Sequence, residues 1–189
     1  MLFKSFSEKI NTTLGRLSPA RRIFLSFALV ILAGSLLLSL PFVQATSSQA
    51  TYFDHLFTAV SMVCVTGLFT QPVATTYNIW GQLICMFLIQ IGGLGLMTFI
   101  GVFYIQSKQK LSLRSRETIL ESFSYGETQS LMVFIRSIFL TTFIVEGLGA
   151  FLLSFRFVPE FGWGRGIFTS IFVAISAFCN AGFDNFGST

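Results

Sequence analysis

Long apolar runs and short ones alternate along this chain. Ile23 to Phe42 is apolar with small-residue interruptions. About 20 residues, at about 1.5 Å each, is the length of a membrane-crossing helix. Tyr52 to Val63 has helical character but is too short to cross, and Asp54 near its start puts a carboxylate where a helix N-terminus favours one. Val65-Thr66-Gly67-Leu68 then breaks the pattern, and Gln71-Pro72 opposes continuation because proline lacks an N–H and clashes with the preceding turn. A short helix, a glycine-containing break and a return predict a re-entrant loop. Such backbone is tolerated at membrane depth only where it lines water or is buried in protein. Ile79 to Ile105 is a second spanning run, and Leu131 to Val158 a third. Gly164 to Phe178 is another short apolar segment, followed by Cys179-Asn180-Ala181-Gly182-Phe183. Residues 107–129 mix charge with Leu111, Leu113, Ile119, Leu120 and Phe123, the pattern of a connection that is partly amphipathic helix at a membrane surface.

The short segments are related. A shift of about 115 positions aligns the two halves without a gap: Arg21 falls on Arg136, Gly34 on Gly149, Phe57 on Phe172, Ser61 on Ser176, Cys64 on Cys179 and Gly67 on Gly182. Apolar matches alone are cheap in so hydrophobic a chain; Arg, Gly, Ser and Cys in one register are not. The expected fold is an all-α membrane protein built of parallel repeats, each a helix, a re-entrant short helix with its loop, and a helix. The expected organisation is a cytoplasmic N-terminus (1–22), a first repeat (23–106), a cytoplasmic connection (107–129) and a second repeat (130–189) that stops after its loop. A loop at the bilayer midplane needs its far side closed, so the chain is expected to be part of a larger protein or to depend on another chain.

Composition and charge identify the solvent and the orientation. The chain is 53% hydrophobic and 11% charged, against about 25% charged in an average soluble domain. No Asp, Glu, Lys or Arg occurs in 23–53 or 55–107. A charge at the bilayer centre costs about 2.5–3.5 kcal/mol on insertion scales. Lys4, Lys9, Arg16, Arg21 and Arg22 precede the first run, Lys108, Lys110, Arg114 and Arg116 follow the second, and 44–78 has no Lys or Arg. The positive-inside rule then puts the N-terminus and 107–129 in the cytoplasm and 44–78 outside. The net charge of +4 calls for lipid head groups or a cytosolic protein as neighbours, not nucleic acid. Val43-Gln44-Ala45 resembles a signal cleavage site, but the run before it exceeds the about 7–15 residues of a signal core, and its counterpart in the second repeat marks a retained helix. Cys64, Cys85 and Cys179 lack metal-ligand spacing and read as reduced thiols in packed helices. One His, no HExxH and no GxSxG argue against an enzyme.

The loops suit a cation. Rings of backbone carbonyls can replace the hydration shell of potassium, and glycine lets backbone follow a path near an axis. The preceding short helices would aim partly negative C-termini at the pore. Here SMVCVTGL (Ser61–Leu68), QIGGLGL (Gln90–Leu96) and SAFCNAGFD (Ser176–Asp184) resemble the bacterial TrkH/TrkG/KtrB potassium-transport subunits, most closely the KtrB type. The resemblance covers nearly the whole chain. It implies four repeats around one filter, of which two are present, and potassium uptake across a bacterial plasma membrane by a multi-pass subunit. It also implies filter carbonyls from Val65, Thr66 and Gly67 and from Cys179, Asn180, Ala181 and Gly182, where potassium would bind. Sodium is a candidate coupling ion for symport, no cofactor is expected, and the implied partners are a second copy of the chain and a cytosolic nucleotide-binding regulatory ring of the KtrA or TrkA type. The rival reading is a non-conducting structural membrane subunit or fragment.

Other polar residues read more plainly. Gly92-Gly93-Leu94-Gly95 reads as close helix packing. Glu146 lies inside the third run, and the favoured reading is a structural pair with an Arg or hydroxyl from an absent helix. His55 reads as a capping or interface residue, Arg156 and Arg165 as snorkelling to head groups, and Asp184 as a surface or vestibule charge. Arg114, Arg116, Glu117, Glu121 and Glu127 form a mixed-charge face that is solvated or docks a regulator.

Overall fold

The computed structural model describes residues 19–46, 48–95 and 131–187. The connection 107–129 with its charged face, and Lys4, Lys9 and Arg16, lie outside the described residues. Within them the regular elements are helices: α1 (Pro19–Leu38), a 3-10 turn (Pro41–Val43), α2 (Tyr52–Val63), α3 (Val73–Thr76), α4 (Ile79–Leu94), α5 (Leu131–Phe161) and α6 (Trp163–Phe178). The all-α expectation holds at this level. The short segment expected at 52–63 is α2, with the same ends.

The long runs end differently from expectation, for local reasons. The first was expected to run to Phe42, yet α1 stops at Leu38. Leu40 is extended at φ −68°, ψ 134°, as the residue before a proline must be, since the Pro41 ring clashes with a helical predecessor. The second was expected to run to Ile105, yet α4 stops at Leu94, where Gly95 takes φ 76°; residues 96–105 are not among those described. The third extends past Val158 to Phe161, carrying Pro159 in its last turn, and Gly162 at φ 80° alone separates α5 from α6. Among the described residues one helix, Arg136–Phe161, is long and apolar enough to cross a membrane, and Phe24–Leu38, Ile79–Leu94 and Trp163–Phe178 are shorter apolar helices. The 16 residues of α4 reach about 24 Å, short of a hydrocarbon core of about 30 Å.

The two halves pack alike. α1 lies along α2, α5 lies along α6, and α4 contacts both α2 and α6. The buried cluster runs through these contacts and includes Leu38, Met62, Tyr77, Ile89, Phe172 and Phe183. The outward faces are apolar too: Phe24, Leu29, Phe143, Phe151, Leu152 and Phe155 are exposed. A helix apolar on all sides belongs in lipid or under other protein.

One connection closes the first half. Gln44 pairs with Tyr77 in an isolated antiparallel bridge. Around it Ala45 N–H donates to Thr76 O at 2.9 Å and Asn78 N–H to Val43 O at 3.0 Å. Asn78 then caps α4: its Oδ1 accepts from Trp80 N at 2.9 Å and Gly81 N at 3.2 Å, satisfying donors that a helix start leaves orphaned. Its Nδ2 donates to Phe42 O at 2.6 Å. The end of α1 and the start of α4 are thus tied side by side, with α2 and its loop strung between them.

Candidate functional site

Each short helix ends in a loop, and the two loops have one geometry. Cys64 caps α2 at φ −87° and Cys179 caps α6 at φ −74°. Val65 and Asn180 follow at φ 56° and 55°, and Gly67 and Gly182 at 73° and 69°. Thr66 and Ala181, between them, are not in the positive-φ region. The sign of φ therefore alternates residue by residue in both loops. Left-handed backbone is uncommon for non-glycine residues and an outlier for a β-branched one such as Val65.

The same hydrogen bonds hold both loops, each pair 115 positions apart. Thr66 N–H donates to Ser61 O at 2.9 Å, and Ala181 N–H to Ser176 O at 2.7 Å. Leu68 N–H donates to Ser61 Oγ at 2.9 Å, and Phe183 N–H to Ser176 Oγ at 2.8 Å. Val65 N–H donates to Met62 O and Asn180 N–H to Ala177 O. Ser61 and Ser176 are buried, each 2% exposed. Each serine spends its carbonyl and its hydroxyl on the loop that follows. Sequence reading matched these serines in register but gave them no role; a polar residue two positions before the end of a short apolar helix was the available signal.

The structure brings the two loops into contact. A Cβ on Gly67 would lie 2.9 Å from Ala181 O and 3.5 Å from Gly182 Cα, and one on Gly182 would lie 3.4 Å from Gly67 Cα. Of the other expected site residues, Val65 is half-buried, Cys179 and Ala181 are buried, and Thr66 and Asn180 are exposed. Thr66 Oγ1 lies 2.8 Å from Ser61 Oγ. The glycines of α4 seat both short helices against it. A Cβ on Gly92 would lie 2.5 Å from Val63 O, and one on Gly93 would overlap Cys179 Sγ, so the close-packing reading of Gly92-Gly93 holds. All three cysteines are free thiols, with Cys85 and Cys179 buried and Cys64 exposed.

Residues 21–188 match the family described as TrkH, a cation transport protein. The chain belongs to the TrkH family. It is similar to the potassium/sodium uptake protein NtpJ of Enterococcus hirae, 42% identical over 92% of this chain and 39% of that protein. It is also similar to the Ktr system potassium uptake protein B of Bacillus subtilis (38% identical, 89% and 37%) and of Vibrio alginolyticus (37% identical, 89% and 37%). The chain therefore spans about two fifths of the length of these curated relatives. TrkH proteins are transporters rather than enzymes, in agreement with the absence of a nucleophile or metal motif in the sequence.

Two polar residues depart from expectation. His55 is neither a cap nor an interface residue: it is 1% exposed, at the centre of a buried network. Gln44 Nε2 lies 3.2 Å from His55 Nε2 and donates to Ser39 O, so His55 Nε2 accepts. The ring proton is then on Nδ1 and is donated to Tyr77 Oη at 2.9 Å. Tyr77 in turn hydrogen-bonds Thr58. Burial holds the His55 pKa below its usual value, against the opposing pull of Asp54. Asp54 fills the N-terminal role expected of it: its Oδ2 accepts from Thr51 N at 2.8 Å and Thr51 Oγ1 at 2.7 Å. Hydrogen bonds from Thr70 and Thr51 lower its pKa to about 2. The partner of Glu146 is the second departure. Among the described residues it is Gln90 of α4, whose Nε2 donates to Glu146 Oε1 at 2.8 Å, an amide where an Arg or a hydroxyl was expected. Arg156 bonds Glu160 at 2.8 Å one turn on, and Arg165 stacks 5.4 Å from the Phe161 ring.

Proposed function

We propose that this chain supplies two pore loops of a potassium-uptake protein. Backbone carbonyls of Val65, Thr66 and Gly67, and of Cys179, Asn180, Ala181 and Gly182, form part of its selectivity filter. The observation that carries this reading is the contact between Gly67 and Gly182 in loops of one alternating conformation. Alternation of right- and left-handed residues aligns successive N–H groups to one side and hence carbonyls to the other. A row of aligned carbonyls is what a dehydrated cation needs. The names of the similar proteins, which specify potassium or potassium and sodium uptake, support the choice of ion and leave sodium as a second or coupling ion.

In this reading α2 and α6 are pore helices of re-entrant segments, entered from the outer face, with the N-terminus and 107–129 in the cytoplasm. The filter is completed by further repeats, and the working protein is a dimer regulated by a cytosolic nucleotide-binding ring. The test is complementation of a potassium-uptake-deficient bacterium with the full-length protein. Gly67→Asp and Gly182→Asp are expected to abolish growth at low potassium or to remove selectivity over sodium, at unchanged membrane abundance. Wild-type uptake and selectivity in both variants would leave the rival reading, a non-conducting structural subunit.

A further inference from the structure

Glu146 is the middle residue of the 31-residue α5. It is buried, 7% exposed, and faces Gln90 on α4, one turn before Gly93, on which Cys179 at the end of α6 packs. Thr142, one turn earlier on α5, is buried as well. Among the described residues its partner is an amide, and no Lys or Arg forms an ion pair with it.

The hydrogen bonding of the pair is one donor short. Gln90 Nε2 donates to Glu146 Oε1 at 2.8 Å. The amide is planar, with both polar atoms on one carbon, so Gln90 Oε1 sits beside Nε2 at the same end of the side chain. That oxygen is buried, has no hydrogen-bond partner among the described residues, and belongs to a residue 9% exposed. A buried acceptor left without a donor is rare in folded proteins.

We propose that Glu146 and Gln90 form a proton-binding site. The bound proton sits on the free carboxyl oxygen of Glu146, which donates to Gln90 Oε1 while Gln90 Nε2 donates to Glu146 Oε1. The pair closes on itself, Gln90 Oε1 gains the donor it lacked, and α5 carries no net charge at its centre. The proton is taken from water and returned to water, leaving the carboxylate behind. A metal cation fits less well: hard cations take about six or more oxygens, whereas this site offers two carboxyl oxygens and one amide oxygen, with an amide N–H already directed into it. The site lies behind the second loop, because Cys179 begins that loop and packs on Gly93. This assignment does not rest on the loops being an ion path.

Infrared difference spectroscopy of the full-length protein in a bilayer at neutral pH tests it directly. The carbonyl band of a protonated carboxylic acid is expected in the wild type and is lost in Glu146→Gln. Gln90→Leu is expected to keep the band and move it to higher frequency, because the acid loses its hydrogen-bond acceptor. A band that survives Glu146→Gln, or no such band in the wild type, overturns the proposal. Should Glu146→Gln not fold, an unmoved band in Gln90→Leu overturns it equally.

Discussion

Gly67 and Gly182 occupy equivalent positions, yet alanine should not cost the same at each. Both have left-handed backbone, φ 73° and 69°, where a Cβ costs about 1–2 kcal/mol. That part is shared. The surroundings differ: a Cβ at 67 would meet Ala181 O at 2.9 Å, whereas one at 182 meets Gly67 Cα at 3.4 Å, an ordinary contact. Ala181 cannot easily retreat, since its N–H is bonded to Ser176 O at 2.7 Å. Forcing backbone apart in a packed site adds roughly 1–3 kcal/mol. Gly67→Ala should therefore lose about 2–5 kcal/mol and Gly182→Ala about 1–2 kcal/mol. Denaturant unfolding of the purified full-length variants, with potassium uptake measured on the same proteins, reads both effects. Equal losses, or a larger loss at 182, would refute the contact argument and with it the side-by-side placement of the loops.

Three further outcomes follow from the same geometry. Ser61→Ala and Ser176→Ala each leave a loop N–H without its acceptor and should cost about 1–3 kcal/mol, with a lowered potassium-to-sodium uptake ratio; an unchanged ratio in both would deny the serines their bracing role. Val65→Asn, which gives the first loop the residue of the second, should stabilise by about 1 kcal/mol because asparagine tolerates left-handed backbone better than valine; a destabilised variant would count against the strain at Val65. His55 has its folded pKa below the unfolded value of 6.5, so the unfolded chain binds the proton more readily. Stability should be full above about pH 6.5 and fall as pH drops below it, and His55→Gln should flatten that slope in thermal unfolding across the acid range.

Periodicity and repeat register carried the element types and the pairing of the halves, because apolar runs and a gap-free match of Arg, Gly, Ser and Cys are local signals. The ends of the long helices were less legible. Leu40 is forced into extended backbone by Pro41, and Gly95 stops α4 through its own φ; both act within hydrophobic runs that periodicity counts as continuous. The His55 and Glu146 partners were not legible at all. His55 meets Tyr77 across 22 positions and Glu146 meets Gln90 across 56, and only packing decides such pairings. The glycines of α4 fall between these cases. Their small size announced a close approach, but not that Val63 and Cys179, the ends of both short helices, would be what approaches.

The loops themselves make the strongest case for scaffold over local sequence. Val65-Thr66-Gly67-Leu68 and Asn180-Ala181-Gly182-Phe183 share only glycine, yet they adopt the same alternation in the sign of φ. Local preference cannot explain this, because asparagine accepts left-handed backbone and valine resists it. What the loops do share is the serine before them, accepting from two loop N–H groups, and the α4 glycines against which both helix ends are seated. Strained backbone persists where surrounding structure over-determines it. The strain at Val65 is therefore set by Ser61 and by the seat on α4. A loop shaped this way can vary its side chains while its carbonyls keep their aim, as a site that acts through backbone requires.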